Sequence, residues 1–242
     1  NDNPLLNQPP TLAAVAPDGG TVTLRSFADV ELAAGSLVDV SGGGWLNDRG
    51  RLRSGNAGSI RVSGGTGEVG LVPSAAVRLD GDLLGYALAR GGAMSLTARR
   101  IAIGAVPPQD GDGQRLALTP TFFQRGGFHS YNLTSNAGDA AIADGTALRL
   151  SAVNLVLDSS ASGQATGADM LGFASTTLLP EHLRRASSFS LNVSGGAYES
   201  NASNLANVGV VRIGASSQLE TESRGQIALS APTSVLIEGS LV

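Results

Sequence analysis

Apolar residues recur two apart in short bursts along the whole chain, and small residues separate the bursts. Val22 and Leu24 alternate with Thr21, Thr23 and Arg25; Val30 with Leu32 and Val38 with Val40 follow. The phrase returns as Gly58-Ser-Ile-Arg-Val-Ser-Gly-Gly65 with Ala76-Val-Arg-Leu-Asp-Gly81. It returns again as Gly225-Gln-Ile-Ala-Leu-Ser-Ala with Ser234-Val-Leu-Ile-Glu-Gly. Between these copies lie Met94 and Leu96, Ile101 and Ile103, Leu148 and Leu150, Phe189 and Leu191, and Val211 and Ile213. Alternation over four to six residues is the pattern of a strand with one buried face. Recurrence roughly every 20 residues, with turn residues between, predicts an all-β solenoid, a parallel β-helix. At about 22 residues per rung the chain would hold roughly 10 rungs, fewer if the loops are long. An antiparallel sandwich is the alternative; it favours Asn-Gly hairpin turns, and the chain has none.

The pattern also marks where the stack is interrupted. Residues 1–18 read as a Pro-rich lead-in or partial rung, and 19–242 as one β-helix domain. Insertions are expected near 42–58, 105–130 and 160–187, as loops on the flank. In the first, Trp45 would shield apolar surface; the second contains Val106-Pro-Pro-Gln-Asp-Gly-Asp-Gly-Gln114. Val69 with Leu71, Val153 with Leu155, and Leu219 are placed on rungs. The one helical candidate is Leu178-Leu-Pro-Glu-His-Leu-Arg-Arg-Ala186, a turn or two with Pro early in it. The chain stops at Ser-Leu-Val242 with no polar cap, so it is expected to be a piece of a longer protein.

Composition fits this picture. The 242 residues include 33 glycines, and aromatics are only 4%, as suits rungs with tight corners. Apolar residues reach 42%, too many for a disordered chain. The net charge is −4, and all 16 basic residues are arginine. No basic run suggests a nucleic-acid surface. Cysteine is absent, which excludes disulfides and thiol chemistry. No apolar run is long enough for a membrane span, and the first ten residues lack a signal-peptide pattern.

Three phrases resemble filamentous-haemagglutinin-type exoproteins, the large secreted partners of two-partner secretion systems in Gram-negative bacteria. They are Val30-Glu-Leu-Ala-Ala-Gly-Ser-Leu-Val-Asp-Val-Ser-Gly-Gly43, Arg125-Gly-Gly-Phe-His-Ser-Tyr-Asn-Leu133 and Gly225-Gln-Ile-Ala-Leu-Ser-Ala-Pro-Thr-Ser-Val-Leu-Ile-Glu-Gly239. The resemblance spans roughly 19–242. It implies a right-handed parallel β-helix, secretion to the cell surface through an outer-membrane transporter, and a role as adhesin or carrier of a toxic tip. The transporter would engage a missing N-terminal domain. Asn3-Pro4-Leu5 does not match that domain's Asn-Pro-Asn-type motif, so shaft or distal region is implied.

Candidate chemistry is sparse. Asp80 and Asp82 flank Gly81, and Asp110 and Asp112 flank Gly111. Paired carboxylates suit calcium or acid–base work, and they equally suit corner turns. His129 and His182 are the only histidines and have no zinc-ligand spacing. No Gly-x-Ser-x-Gly elbow or phosphate loop occurs. Phe122, Phe123, Phe128 and Tyr131, with His129 among them, gather four of the ten aromatics within ten residues. They are the candidate partner contact; the competing reading is that they cover the core where the 105–121 loop departs. The expected function is therefore a non-enzymatic structural or adhesive segment without cofactor or metal. Its partner would be a receptor or glycan on a host cell or neighbouring bacterium. The alternatives are a β-helical polysaccharide lyase or hydrolase, with those aspartates on one face beside Arg78 or Arg115, and the receptor-binding region of a contact-dependent toxin carrier.

Overall fold

The computed structural model describes residues 16–46, 50–66, 76–105, 115–151, 153–161, 170–180, 182, 184–195, 209–222 and 224–242. Val69, Leu71, Asp110, Asp112 and the lead-in up to residue 15 lie outside the described residues. The fold is all-β, and most strand pairs are parallel.

The alternating bursts form strands, and equivalent bursts pair side by side. The first sheet has six parallel strands in spatial order: Thr21–Arg25, Ser59–Ser63, Gly92–Ala98, Phe128–Ser135, Ser188–Val193 and Gln226–Ser230. Its register aligns Val22, Ile60, Met94, Tyr131, Phe189 and Ile227 in one ladder. Leu24, Val62, Leu96, Leu133, Leu191 and Leu229 form a second. A one-residue slip would turn both ladders to solvent, so burial specifies the register. The wet face carries hydroxyl and amide contacts between strands. Thr21 Oγ1 meets Ser59 Oγ at 3.0 Å, and Asn192 Nδ2 donates to Asn132 Oδ1 at 3.1 Å.

A second parallel sheet has the order Arg115–Leu118, Arg100–Ile103, Ala140–Ile142, Val210–Ile213, Ser234–Ile237. It stacks Leu118, Ile103, Ile142, Ile213 and Ile237. Shorter parallel sets complete the scheme: Val30–Leu32 with Val77–Leu79, Leu37–Asp39 with Asp82–Leu84, and Ala147–Arg149 with Gln218–Glu220 and Ser240–Leu241. Side chains from these sheets meet in one apolar cluster.

Aspartates at the corners fasten one pass of the chain to the next. Asp18 Oδ1 accepts from Asn56 N, Asp29 Oδ1 from Ala76 N, Asp139 Oδ1 from Val210 N and Asp144 Oδ1 from Ala215 N, all at 2.7–3.0 Å. Each supplies an acceptor to a backbone N–H that the turn would leave unpaired.

Several expectations are corrected. Thr21 and its hydroxyl partner Ser59 are 38 residues apart, and Ser130 and Ser188 are 58 apart. The chain therefore takes far longer than twenty residues to return to one sheet, because consecutive bursts belong to different sheets. Among the described residues the longest sheet has six strands, the smaller number that long loops allow. Residues 42–58 are not a plain loop: Gly44–Leu46 pairs antiparallel with Leu52–Ser54. Within 105–130, Arg115–Leu118 is a core strand, and Pro120–Gln124 is a 3-10 turn that buries Phe122 and Phe123. Val153 and Leu155 leave the stack, since Asn154–Leu157 pairs antiparallel with Ala174–Thr177. The helix expected over 178–186 is absent from the described residues there, apart from 3-10 geometry at His182. Nine residues are too few to sustain a helix without packing to hold them.

Candidate functional site

The aromatic cluster faces inward. Phe123 is 1% exposed, and even Phe122, the most open of the four, is 7%. The rings pack edge to face: Phe123 lies 4.9 Å from Tyr131 and 5.9 Å from Phe189 between centroids, and Phe122 lies 5.3 Å from Phe123. The Tyr131 hydroxyl donates to the Phe123 carbonyl at 3.3 Å, and burial, aided by Tyr86, pushes its pKa up. Pairs in this geometry add to what burial alone contributes. Phe122, Phe123, Phe128 and Tyr131 thus fill the core where the 3-10 turn replaces a strand. Little of them is left for contact: only Phe122 and Phe128 line a small cavity, of about 140 Å³.

His129 behaves differently from its neighbours. Phe128 pairs with Gly92 and Ser130 with the very next residue, Ala93, so His129 is the extra residue of a β-bulge. Bulges are uncommon between parallel strands, and they re-aim a side chain. Strict alternation back from Leu133 and Tyr131 would turn His129 into the core, but with the extra residue Phe128 takes that place beside Tyr131. His129 forms the floor of an open cleft of about 780 Å³ with Arg90, His182, Arg184, Arg185 and Arg224 around it. A cavity of about 300 Å³ adjoins, sharing His129, Arg184 and Arg185 and walled by Leu88, Val153 and Leu179.

Each wall has a local cause. Gly91 brings Arg90 against His129: a Cβ there would lie 2.1 Å from the Gly127 carbonyl oxygen, so only glycine allows the two backbones to touch. Asn154 Nδ2 donates to the Ala89 carbonyl at 3.1 Å, docking the antiparallel pair beside the same segment. Arg184 Nε donates to the Leu179 carbonyl, and its Nη1 lies 3.8 Å from Glu222 Oε1. That pair joins the 179–186 segment to the turn of Glu222 and Gly225, closed by a Gly225 N to Glu222 carbonyl bond of 2.7 Å. Arg224 occupies the third position of this turn with φ 69°. The left-handed region there favours glycine or asparagine.

Arg90 Nε donates to His129 Nε2 at 2.8 Å. The acceptor nitrogen must be unprotonated, so the ring is the neutral Nδ1–H form. Nδ1 lies against the Gly91 and Gly92 backbone without a hydrogen bond of ordinary geometry. Burial, then the Arg90 charge, hold the His129 pKa below its ordinary value, with Arg185 adding to the effect and the glycine carbonyls opposing it.

Among the described residues the candidate carboxylates do not assemble into a comparable site; Asp110 and Asp112 lie outside them. Asp80 and Asp82 are exposed at a corner, where their backbone N–H groups bond to the Leu32 and Ser36 carbonyls. Arg78 sits 3.7 Å from Glu31 on an exposed strand face. No group of three or more potential metal ligands occurs among the described residues, and none of their helices is long and apolar enough to cross a membrane. The chain matches no family model, no curated protein and no solved structure.

The cationic cleft escaped the sequence reading. Arg90, Arg184 and Arg224 are scattered along the chain, and only the Arg184-Arg185 pair is adjacent. The one local signal is the Arg-Gly step at 224–225, an arginine where a turn calls for glycine.

Proposed function

We propose that the parallel sheets form one right-handed parallel β-helix, and that the chain is a non-enzymatic structural and adhesive segment of a large secreted bacterial surface exoprotein. The observation that carries this reading is the register. Strands far apart in sequence lie parallel with equivalent apolar positions aligned through six successive strands. Parallel strands joined by crossovers in one sheet are right-handed in nearly all proteins. Such stacking buries every interior edge and yields a stiff scaffold whose flanks can be varied without disturbing the core. The three phrases that resemble filamentous-haemagglutinin-type exoproteins support the same role, with export through an outer-membrane transporter and a receptor or glycan on another cell as partner. Of the carboxylates a polysaccharide-cleaving groove would use, Asp80 and Asp82 lie exposed at a corner while Arg78 faces Glu31, which favours a scaffold.

The test is binding of the folded 242-residue chain to glycan arrays, bacterial surfaces and epithelial cells, alongside an assay for polysaccharide cleavage. Saturable binding without cleavage is expected. Release of new reducing ends or unsaturated uronates would overturn the reading.

A further inference from the structure

The geometry points to the cleft around His129 as a binding site for a phosphate monoester. This inference stands apart from the exoprotein reading, because it rests on the side chains of the cleft alone. Four of the chain's 16 basic residues line it although the whole chain carries −4. Glu222 offsets one of them through Arg184. Among the described residues, Arg90, Arg185 and Arg224 form no ion pair. Among the described residues these three like charges are held together with no carboxylate in contact, and their repulsion favours an anion between them.

The arrangement selects the kind of anion. Arg90 comes from the segment before one strand, Arg185 from the segment before another, and Arg224 from a turn. Three guanidinium groups approaching from separate elements suit a tetrahedral group with three outward oxygens. A single planar carboxylate is satisfied by one bidentate arginine. A phosphate monoester carries close to two charges at neutral pH. The adjoining cavity, walled by Leu88, Val153 and Leu179, has room for a small, largely apolar alcohol portion of the ester. Together the two spaces are of the size that holds small ligands.

His129 is the positioning residue. By accepting from Arg90 Nε it fixes that guanidinium and leaves both terminal nitrogens free to donate to the ligand. A protonated histidine could not accept, and burial beside Arg90 keeps the ring neutral. Arg224 adds a second sign of use: a non-glycine residue held at φ 69° on the rim, a strained backbone of the kind that collects at ligand sites.

The experiment is calorimetric titration of the intact chain with phenyl phosphate, and with benzoate, which presents the same ring on a carboxylate. Phenyl phosphate is expected to bind at least tenfold tighter than benzoate and to weaken with added salt. R185A and R224G should each lower its affinity about tenfold or more without lowering the thermal midpoint. R61A, an exposed arginine of the first sheet's wet face, should change neither. His129→Leu should weaken binding, and His129→Gln should retain most of it, since a Gln oxygen can accept from Arg90. Equal affinity for benzoate, or an equal loss in R61A, overturns the site. Glutamine behaving like leucine overturns the role of His129.

Discussion

Leu133 and His129 lie on one strand, four residues apart, yet they belong to regions built on opposite rules. Leu133 stands in a ladder where each level repeats the last: Leu96 on one side, Leu191 on the other, all fully buried. Around His129 nothing repeats. A bulge shifts the register, a glycine contact replaces a side chain, and an antiparallel pair projects beside the parallel sheet. Repetition makes a core, because each apolar residue meets its like at van der Waals distance. A recognition site needs different groups converging on one point, and strict repetition forbids that. The irregular flank is where this protein departs from its own pattern and where its charge accumulates.

The contrast can be broken most severely from the ladder side. Phe123→Ala, in the aromatic plug beside the stack, should destabilise the fold by about 4 kcal/mol in urea unfolding, the usual cost of removing a buried phenylalanine. A loss below about 1 kcal/mol would show that the ring is a surface contact after all.

Gly91→Ala acts at the junction of the two regions. The new Cβ would press on the Gly127 carbonyl, and we expect a destabilisation of about 1–3 kcal/mol, as for other overpacked sites. The strain falls on the backbone that sets Arg90 against His129. Phenyl phosphate affinity should therefore drop even where the protein remains folded, and unchanged affinity would contradict the proposed geometry.

Arg224→Gly should move stability the other way. Relief of a left-handed arginine, worth about 1–2 kcal/mol, is offset partly by the greater chain entropy of glycine, about 0.5–1 kcal/mol. A net gain of roughly 0.5 kcal/mol is expected, with weaker anion binding as its counterpart. A variant both less stable and unchanged in binding would remove Arg224 from the site.

The smallest effect is in the pH dependence. The folded-state pKa of His129 lies below its unfolded value near 6.5. Its contribution to stability is complete above that value and is lost as pH falls through the folded pKa, because the unfolded chain takes up the proton first. The groups facing it are Arg90, Arg184, Arg185, Arg224, His182 and the Gly91–Gly92 backbone. Midpoints of the native protein should fall more steeply from pH 7 to 5.5 than those of His129→Gln. Parallel curves would assign the slope to other groups.

The strands were legible because alternation is a local property. Val22 with Leu24, Ile60 with Val62, and Phe189 with Leu191 announce buried faces within five residues each. The assignment of bursts to sheets was not legible: neighbouring bursts look alike, and only the meeting of Thr21 with Ser59 rather than with a nearer residue defines the circuit. The aromatic cluster drew notice by its density, and the structure decided between plug and platform in favour of the plug. The bulge that frees His129 to meet Arg90 was not legible, because alternation assumes an unbroken ladder.

By itself the sequence determined an all-β chain of short strands with small-residue corners, since hydrophobic periodicity and turn chemistry act over a few residues. Which strands are neighbours, which aspartates fasten the corners, and that Arg90, Arg184, Arg185 and Arg224 share one cleft were decided by the tertiary structure alone. Those contacts join positions many tens of residues apart. Electrostatic and backbone complementarity at such distances along the chain exists only once the chain has closed upon itself.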